Sequence, residues 1–424
     1  MDAPGPRGIS KRLKHPARRV QVADEDSIGA RVAAIRKLRG WTARELARQA
    51  SVSYSLLTKV ESGAAPASPA FIGAVARALR VDVPRITGQP YQEPRGRYAA
   101  LQASMAPLRR VLLAYDVPSA LDAPLRPAAE LEADVRAASL LGRQARYIQL
   151  AERLPVLLEE LQAAVWQATD ADRPRLYGLL AEAYGGASGI AHQLGYLDLR
   201  AMVLDRIEWA SRQSGDPLRV ARTQWSRGVS LLGAAAYEQG LTLMERTRTD
   251  LGRDVDRMDE AARSVYGSLH LRSAVLAARA GRRADADAHL AEARAVSTDI
   301  PEGANHYGME FGPANVGLHE VSAAVELADG SLAVTRAERF ERGGHLAALP
   351  AVRVGQYRLD VARAWLYHGD GRRALRALQA GRRAAPQLVR VHPMARETIR
   401  MIARSEARPN EDLRSFAVWL GIES

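Results

Sequence analysis

The chain of 424 residues contains no cysteine. That excludes a disulfide framework, a cysteine nucleophile and thiolate metal ligation, and it fits a reducing compartment. Long apolar runs are also missing. No stretch approaches the 18 consecutive apolar residues of a membrane span, and the opening Met1-Asp2-Ala3-Pro4-Gly5-Pro6 has no apolar segment of a secretory leader. The expectation is a soluble, cytoplasmic protein with no membrane partner. Lysine is scarce: Lys11, Lys14, Lys37 and Lys59 are the only four, and all other basic side chains are Arg. A GC-rich genome explains that bias as readily as chemistry does. Catalytic signatures are absent too: there is no Walker loop, no dinucleotide glycine fingerprint, no HExxH and no G-x-S-x-G. His289 and Glu292 share a helix face, and His319 precedes Glu320, but neither pair defines a metal site. The expectation is a protein that is not an enzyme and carries no cofactor.

The residues present, 47% hydrophobic and 25% charged, make an ordinary globular composition of two to three domains. The net charge of +12 is unevenly placed. Residues 1–95 hold 17 basic against 8 acidic side chains, whereas residues 96–424 hold 43 against 40. A positive field concentrated in the first fifth of a chain suits a polyanion, with nucleic acid the first choice and a membrane surface its rival.

Residues 1–26, with five Gly or Pro and the cluster Lys11, Arg12, Lys14, Arg18 and Arg19, read as a flexible basic arm. Helical spacing begins at Ile28, Val32, Ile35 and Leu38 and stops at Gly40. Thr42 with Glu45 forms a capping box for a short second helix, Ala50-Ser51-Val52 leaves a tight turn, and Ser53 caps a third helix with Leu56, Leu57 and Val60. Two short helices across a three-residue turn make a helix-turn-helix. A fourth helix over Pro69 to Leu79 and a short fifth over Val83 to Thr87 complete a domain of residues 27–88.

The runs Arg36-Lys37-Leu38-Arg39-Gly40-Trp41-Thr42-Ala43-Arg44-Glu45-Leu46-Ala47 and Ser53-Tyr54-Ser55-Leu56-Leu57-Thr58-Lys59-Val60-Glu61-Ser62-Gly63 resemble the DNA-binding domain of the XRE, or Cro/C1-type, family. The resemblance implies a five-helix repressor-like domain whose third helix enters the major groove. Ala43 stands where the family usually has Gln, and Ser51 replaces the usual turn Gly. Implied DNA-binding residues are Thr42, Arg44, Arg48, Ser53, Tyr54, Ser55, Thr58 and Lys59. Of these, Ser53, Tyr54, Ser55, Thr58 and Lys59 lie opposite Leu57 and Val60 by helical phase, and Arg44 and Arg48 suit phosphates. Arg36 and Glu61 occupy positions that form a semi-buried ion pair in such domains.

Residues 89–97, with Pro90, Pro94 and Gly96, read as a linker. The rest is Ala- and Leu-rich and all-α. The segments around Gly281, Ala328 and Gly369 echo one another, with a weaker copy at Gly195, and the spacing suggests degenerate tetratricopeptide-like repeats over 98–405, with 406–424 as a tail or capping helix. This region resembles the repeat regions behind XRE domains in actinobacterial regulators and, more loosely, peptide-sensing quorum regulators of other Gram-positive bacteria. Polar stripes with the spacing i, i+4, i+7 put Tyr266, His270, Asn315, His319, Gln356, Asp360 and Arg363, with Phe311, among the candidates for an inner ligand-binding face, although solvated faces fit the same stripes.

The resulting expectation is an all-α, nucleoid-associated transcriptional regulator that binds double-stranded DNA as a homodimer. Its repeat domain senses a peptide or small-molecule effector or mediates dimerisation. The alternative is a DNA-bound scaffold whose repeats engage a protein partner with no small effector.

Overall fold

A computed structural model of the protein describes residues 27–91, 97–117, 124–252, 257–406 and 410–422, and every regular element among them is a helix. The basic arm assigned to residues 1–26 and most of the 89–97 linker lie outside the described residues.

The first five helices are α1 (Ile28–Leu38), α2 (Ala43–Gln49), α3 (Tyr54–Glu61), α4 (Pro69–Ala78) and α5 (Val83–Thr87). The sequence places a hydroxyl at four of the starts. Ser27, Thr42, Ser53 and Ser68 each accept a hydrogen bond from the N–H three residues on, and each cap contributes about 1 kcal/mol. Apolar faces then converge: Val32, Leu46, Leu57, Val60, Val75, Leu79 and Ile86 form one buried core. α1 and α3 cross at Gly29, where a Cβ would stand 2.0 Å from the Val60 carbonyl oxygen, so no larger residue fits without parting the helices. Ser51 adopts the left-handed conformation, φ 54°, that its turn position requires.

Beyond α6 (Arg97–Ala103) and α7 (Met105–Leu113), twelve helices form six hairpins. They are α8 (Ala128–Arg143) with α9 (Tyr147–Gln167), α10 (Arg173–Leu194) with α11 (Leu197–Gln213), and α12 (Pro217–Gly233) with α13 (Tyr237–Leu251). Then come α14 (Glu260–Arg279) with α15 (Arg283–Ser297), α16 (Pro313–Glu326) with α17 (Gly330–Arg342), and α18 (Ala351–His368) with α19 (Gly371–Ala384). One device builds every hairpin turn. Ala145, Gly195, Ala235, Gly281, Ala328 and Gly369 all have positive φ, and the N–H of the next residue donates back to a carbonyl of the preceding helix at 2.9–3.0 Å. The turns at Gly195, Gly281, Ala328 and Gly369 are those expected from the sequence; those at Ala145 and Ala235 are additional.

Three further helices, α20 (Pro386–Val391), α21 (Pro393–Ser405) and α22 (Glu411–Trp419), end the chain's helical part. Leu413 and Phe416 of α22, followed by Leu420 and Ile422, pack into the same apolar cluster as Leu154 of α9 and Leu180 of α10. That cluster joins the two ends of the repeat region. α8 touches α18, α10 touches α20, and the Ile148 N–H donates to Gln387 Oε1 at 3.0 Å. The concave surface of the stacked hairpins thereby curves round a central cavity of about 780 Å³.

The helix-turn-helix domain docks on this ring. Arg77 Nη1 donates to the Ala235 carbonyl at 2.8 Å, and its guanidinium lies over the Tyr237 ring. Met394 of α21 enters the core of the small domain, and the Glu397 carboxylate accepts from the main-chain N–H groups of Ile28 and Ala67. Burial pushes the Glu397 carboxyl above its ordinary range, against the pull of Arg400 and Arg404. Tyr91, at the start of the linker, donates to the Thr87 carbonyl at 3.1 Å and carries Arg396 over its ring.

Candidate nucleic-acid interface and central cavity

α3 is held by its apolar side, with Leu57 and Val60 buried, and this leaves Ser53, Tyr54, Ser55 and Lys59 exposed on the other. Thr58 is half-buried, and its Oγ1 donates to the carbonyls of Tyr54 and Ser55 at 3.0 and 3.1 Å. Arg44 and Arg48 are exposed on α2, and the Arg44 guanidinium lies 5.6 Å from the Tyr54 ring centroid, so the two helices present one continuous surface. Thr42 is also exposed, but its hydroxyl is engaged in the capping box with Glu45. The Thr42 bonds draw the Glu45 carboxyl below its ordinary range.

Arg36 and Glu61 tie the far end of α3 to α1. Nε and Nη2 donate to the two carboxylate oxygens at 2.7 and 2.9 Å, and Nη1 donates to the Trp41 carbonyl at 2.8 Å. The pair is nearly buried, and the Glu61 bond raises the Arg36 pKa. It fixes the angle at which the exposed side of α3 is offered.

The central cavity is lined from both parts of the molecule. Ile72, Gly73, Val83, Thr87 and Gln89 come from the helix-turn-helix side, Leu388, His392, Pro393 and Met394 from α20 and α21 and the turn between them, and the other walls from the hairpins and the α15–α16 connection. Among the sequence-derived candidates, His319, Gln356, Asp360 and Arg363 line it. Four others do not. Tyr266 packs against His270, whose Nδ1 pairs with His289 Nδ1 at 3.1 Å between α14 and α15. Phe311 is a core side chain seated over Gly267, where a Cβ would be 2.0 Å from the ring. Asn315 is buried, with Nδ2 donating to the Met309 carbonyl at 3.4 Å.

The lining has a chemistry the sequence did not announce. Eight Arg face four carboxylates: Arg143, Arg200, Arg219, Arg222, Arg272, Arg279, Arg353 and Arg363 against Glu182, Glu310, Glu326 and Asp360. Glu326 binds Arg279 at 2.7 Å and Arg363 at 3.0 Å. Burial opposes its charge, yet the two guanidiniums outweigh burial and hold it down to about 2. Asp360, 3.1 Å from Arg363, is raised to about 6 by burial, with Glu326 adding to the rise. Burial and the neighbouring Arg353 lower His319 to about 3, so the ring is neutral; Nδ1–H donates to the Asn315 carbonyl at 2.8 Å and leaves Nε2 as an acceptor. His192 and His392, also in the wall, are likewise lowered by burial and nearby Arg.

Arg272 and Arg279 stand seven residues apart on α14, and Arg353, Gln356, Asp360 and Arg363 follow a helical period on α18. That periodicity is the signal from which the wall could have been read. In a chain whose basic residues are almost all Arg, it does not separate an inward Arg from an outward one.

Residues 27–86 match the family model described as a helix-turn-helix domain. A comparison with curated proteins returned no match. The match, the capped α2–α3 pair and its exposed polar surface support a DNA-binding regulator built from a helix-turn-helix domain and a helical repeat. No helix among the described residues is long and apolar enough to cross a membrane.

Proposed function

We propose that the protein is a one-component transcriptional regulator of XRE type. Its tetratricopeptide-like hairpins hold an effector in the central cavity, and its α2–α3 surface reads operator DNA. One observation carries the sensing role: Ile72, Gly73, Val83, Thr87 and Gln89 of the DNA-binding part form cavity wall together with the repeat helices. A molecule that fills the cavity touches both partners of the docked interface, so it shifts their relative arrangement by its differential affinity for the two states. The cavity volume is that of a small-molecule or short-peptide site, and its convergent polar groups favour a sensor over a scaffold with an open groove.

In this reading Ser53, Tyr54, Ser55, Thr58 and Lys59 meet base edges or phosphates, and Arg44 and Arg48 meet phosphates. Two copies read half-sites one helical turn apart, about 34 Å. The work is done in the cytoplasm, at the nucleoid.

The test begins with selection of bound fragments from genomic DNA by the full-length protein. Tyr54→Ala and Lys59→Ala are expected to lose at least tenfold in affinity for the selected operator while melting as the wild type does. Unchanged affinity in both removes α3 from the interface. Gly189 lines the cavity with nothing within 4 Å of its Cβ position, so Gly189→Trp plugs the cavity without a clash at its root. Operator affinity unaltered by this plug argues against coupling through the cavity.

A further inference from the structure

The cavity wall holds more positive charge than the protein itself neutralises. Arg200 and Arg272 are 4% and 9% exposed. Among the described residues neither forms an ion pair, and the Nε of each has no hydrogen-bond partner. Arg200 reaches only neutral groups, the His192 ring and the Ser226 carbonyl. Arg272 lies over the Trp225 face at 4.6 Å and donates no hydrogen bond to a described residue. Arg222, on the same helix as Trp225 and Ser226, donates to the Tyr307 carbonyl and to Ser226 Oγ, both at 3.3 Å, and Arg353 donates to the Met309 carbonyl at 3.4 Å. Neither has a carboxylate at ion-pair distance among the described residues.

Buried guanidiniums without counter-charge are costly, and proteins ordinarily pair them or leave them out. Here burial first, and mutual repulsion second, lower Arg272 to about 9 and Arg200 to about 10, a measure of how poorly the empty wall supports their charge. By contrast, Arg279 and Arg363 in the same cavity are neutralised by Glu326 and Asp360. The excess is thus local, centred on α11, α12, α14 and α18, and it persists beside carboxylates that serve other arginines.

We infer that the cavity binds a small organic anion with at least two negative groups, phosphate or carboxylate, which Arg200, Arg222, Arg272 and Arg353 neutralise through charge-assisted, partly bidentate hydrogen bonds. Guanidinium forks match both kinds of oxyanion. Trp225 holds the Arg272 fork in place, since its Nε1–H is anchored to the Ser268 carbonyl at 3.2 Å. The inference rests on the cavity being the effector site and adds the effector's chemical class.

Titration calorimetry and thermal melting of the full-length protein with inorganic pyrophosphate and with citrate test it, with glycerol as the uncharged control. At least one of the two anions is expected to bind and raise the melting temperature. A response to pyrophosphate alone assigns phosphate groups, a response to citrate alone assigns carboxylates, and a response to both assigns a general polyanion site. Arg222→Gln and Arg272→Met are each expected to weaken binding at least tenfold, whereas Arg212→Gln, on an exposed arginine, leaves it unchanged. The ligand-free Arg272→Met protein is expected to melt at or above the wild-type temperature, because an uncompensated buried charge has gone. Binding of neither anion, wild-type affinity in both cavity variants, or a marked loss of ligand-free stability in Arg272→Met overturns the inference. The two readings fail separately: anion binding without any change in operator affinity keeps the anion site and removes the coupling, and a Gly189→Trp effect on operator affinity without anion binding does the reverse.

Discussion

Arg77 of α4 donates to the main-chain oxygen of Ala235 at 2.8 Å, across 158 residues of sequence, and this bond ties the DNA-binding domain to a hairpin turn of the repeat. The turn residue has the left-handed conformation, φ 58°, between α12 and α13. Beside it, a Cβ on Gly73 would stand 2.5 Å from the Tyr237 hydroxyl and 2.7 Å from the Ala235 Cβ, so the two surfaces meet without room for a side chain.

Gly73→Val is therefore expected to part this interface while leaving both partners folded. Hydrogen exchange read by mass spectrometry should show faster exchange in α4 and α5 and wild-type protection in α14 to α19. Wild-type protection throughout would mean that the contact contributes nothing to holding the domain in place.

The exposed side of α2 makes a salt-dependence prediction. If Arg44 and Arg48 each neutralise one phosphate, Ala at either position lowers the slope of log K against log salt by about 0.9 and weakens binding to all sequences alike. Tyr54→Ala and Lys59→Ala should act unequally on different operators. Titrations at several salt concentrations separate the two groups.

Histidine burial makes stability depend on pH. His270 and His319, both 7% exposed, are lowered to about 3 by burial and by nearby arginines. Their folded pKa lies below the unfolded value of about 6.5, so below that pH the unfolded chain binds more protons than the folded one. The contribution of these two histidines is then full above about pH 6.5 and is lost as pH drops towards 3, up to about 1.4 kcal/mol per pH unit for each, and Asp360, raised to about 6, offsets part of one of them between about pH 4 and 6. Urea unfolding at pH 7, 6 and 5 checks this. His319→Gln is expected to reduce the slope by close to one proton.

Ala328 closes the α16–α17 hairpin at φ 56°, where an L side chain costs about 1–2 kcal/mol. Replacement by Gly relieves that strain and gives back about 0.5–1 kcal/mol in unfolded-chain entropy. Ala328→Gly is expected to raise stability by up to about 1 kcal/mol in chemical denaturation, and Gly369→Ala, at φ 89°, to lower it. A destabilised Ala328→Gly variant would show that its methyl group packs more than it strains.

Much of the small domain was legible because its signals are local. Hydroxyl caps at Thr42 and Ser53, the turn at Ser51 and the apolar spacing of Leu57 and Val60 act within a few residues, and the structure shows each of them. The resemblance to XRE domains implied the Arg36–Glu61 pair, which is present. The Gly29 contact with α3 was not visible, since a glycine inside a helix announces nothing about what crosses it. In the repeat region, glycine marked three of the four turns that were read, and the turns at Ala145 and Ala235 were hidden because alanine looks like helix.

By itself the sequence determined that the chain is helical, where the helix-turn-helix lies and which side of α3 faces outward, because caps, turns and periodicity are properties of short segments. Only the tertiary structure decided that α8 and α10 meet α18 and α20, that α4 docks on the α12–α13 turn, and which polar stripes look inward. Tyr266 and Arg272 both sit on α14 with helical phase to recommend them, yet only Arg272 reaches the cavity. The rotation of each helix about its axis follows from how all six hairpins pack together. Whether a given Arg is buried and uncompensated depends on side chains of other helices, as Glu326 of α16 serves Arg279 and Arg363 from 47 and 37 residues away in the chain.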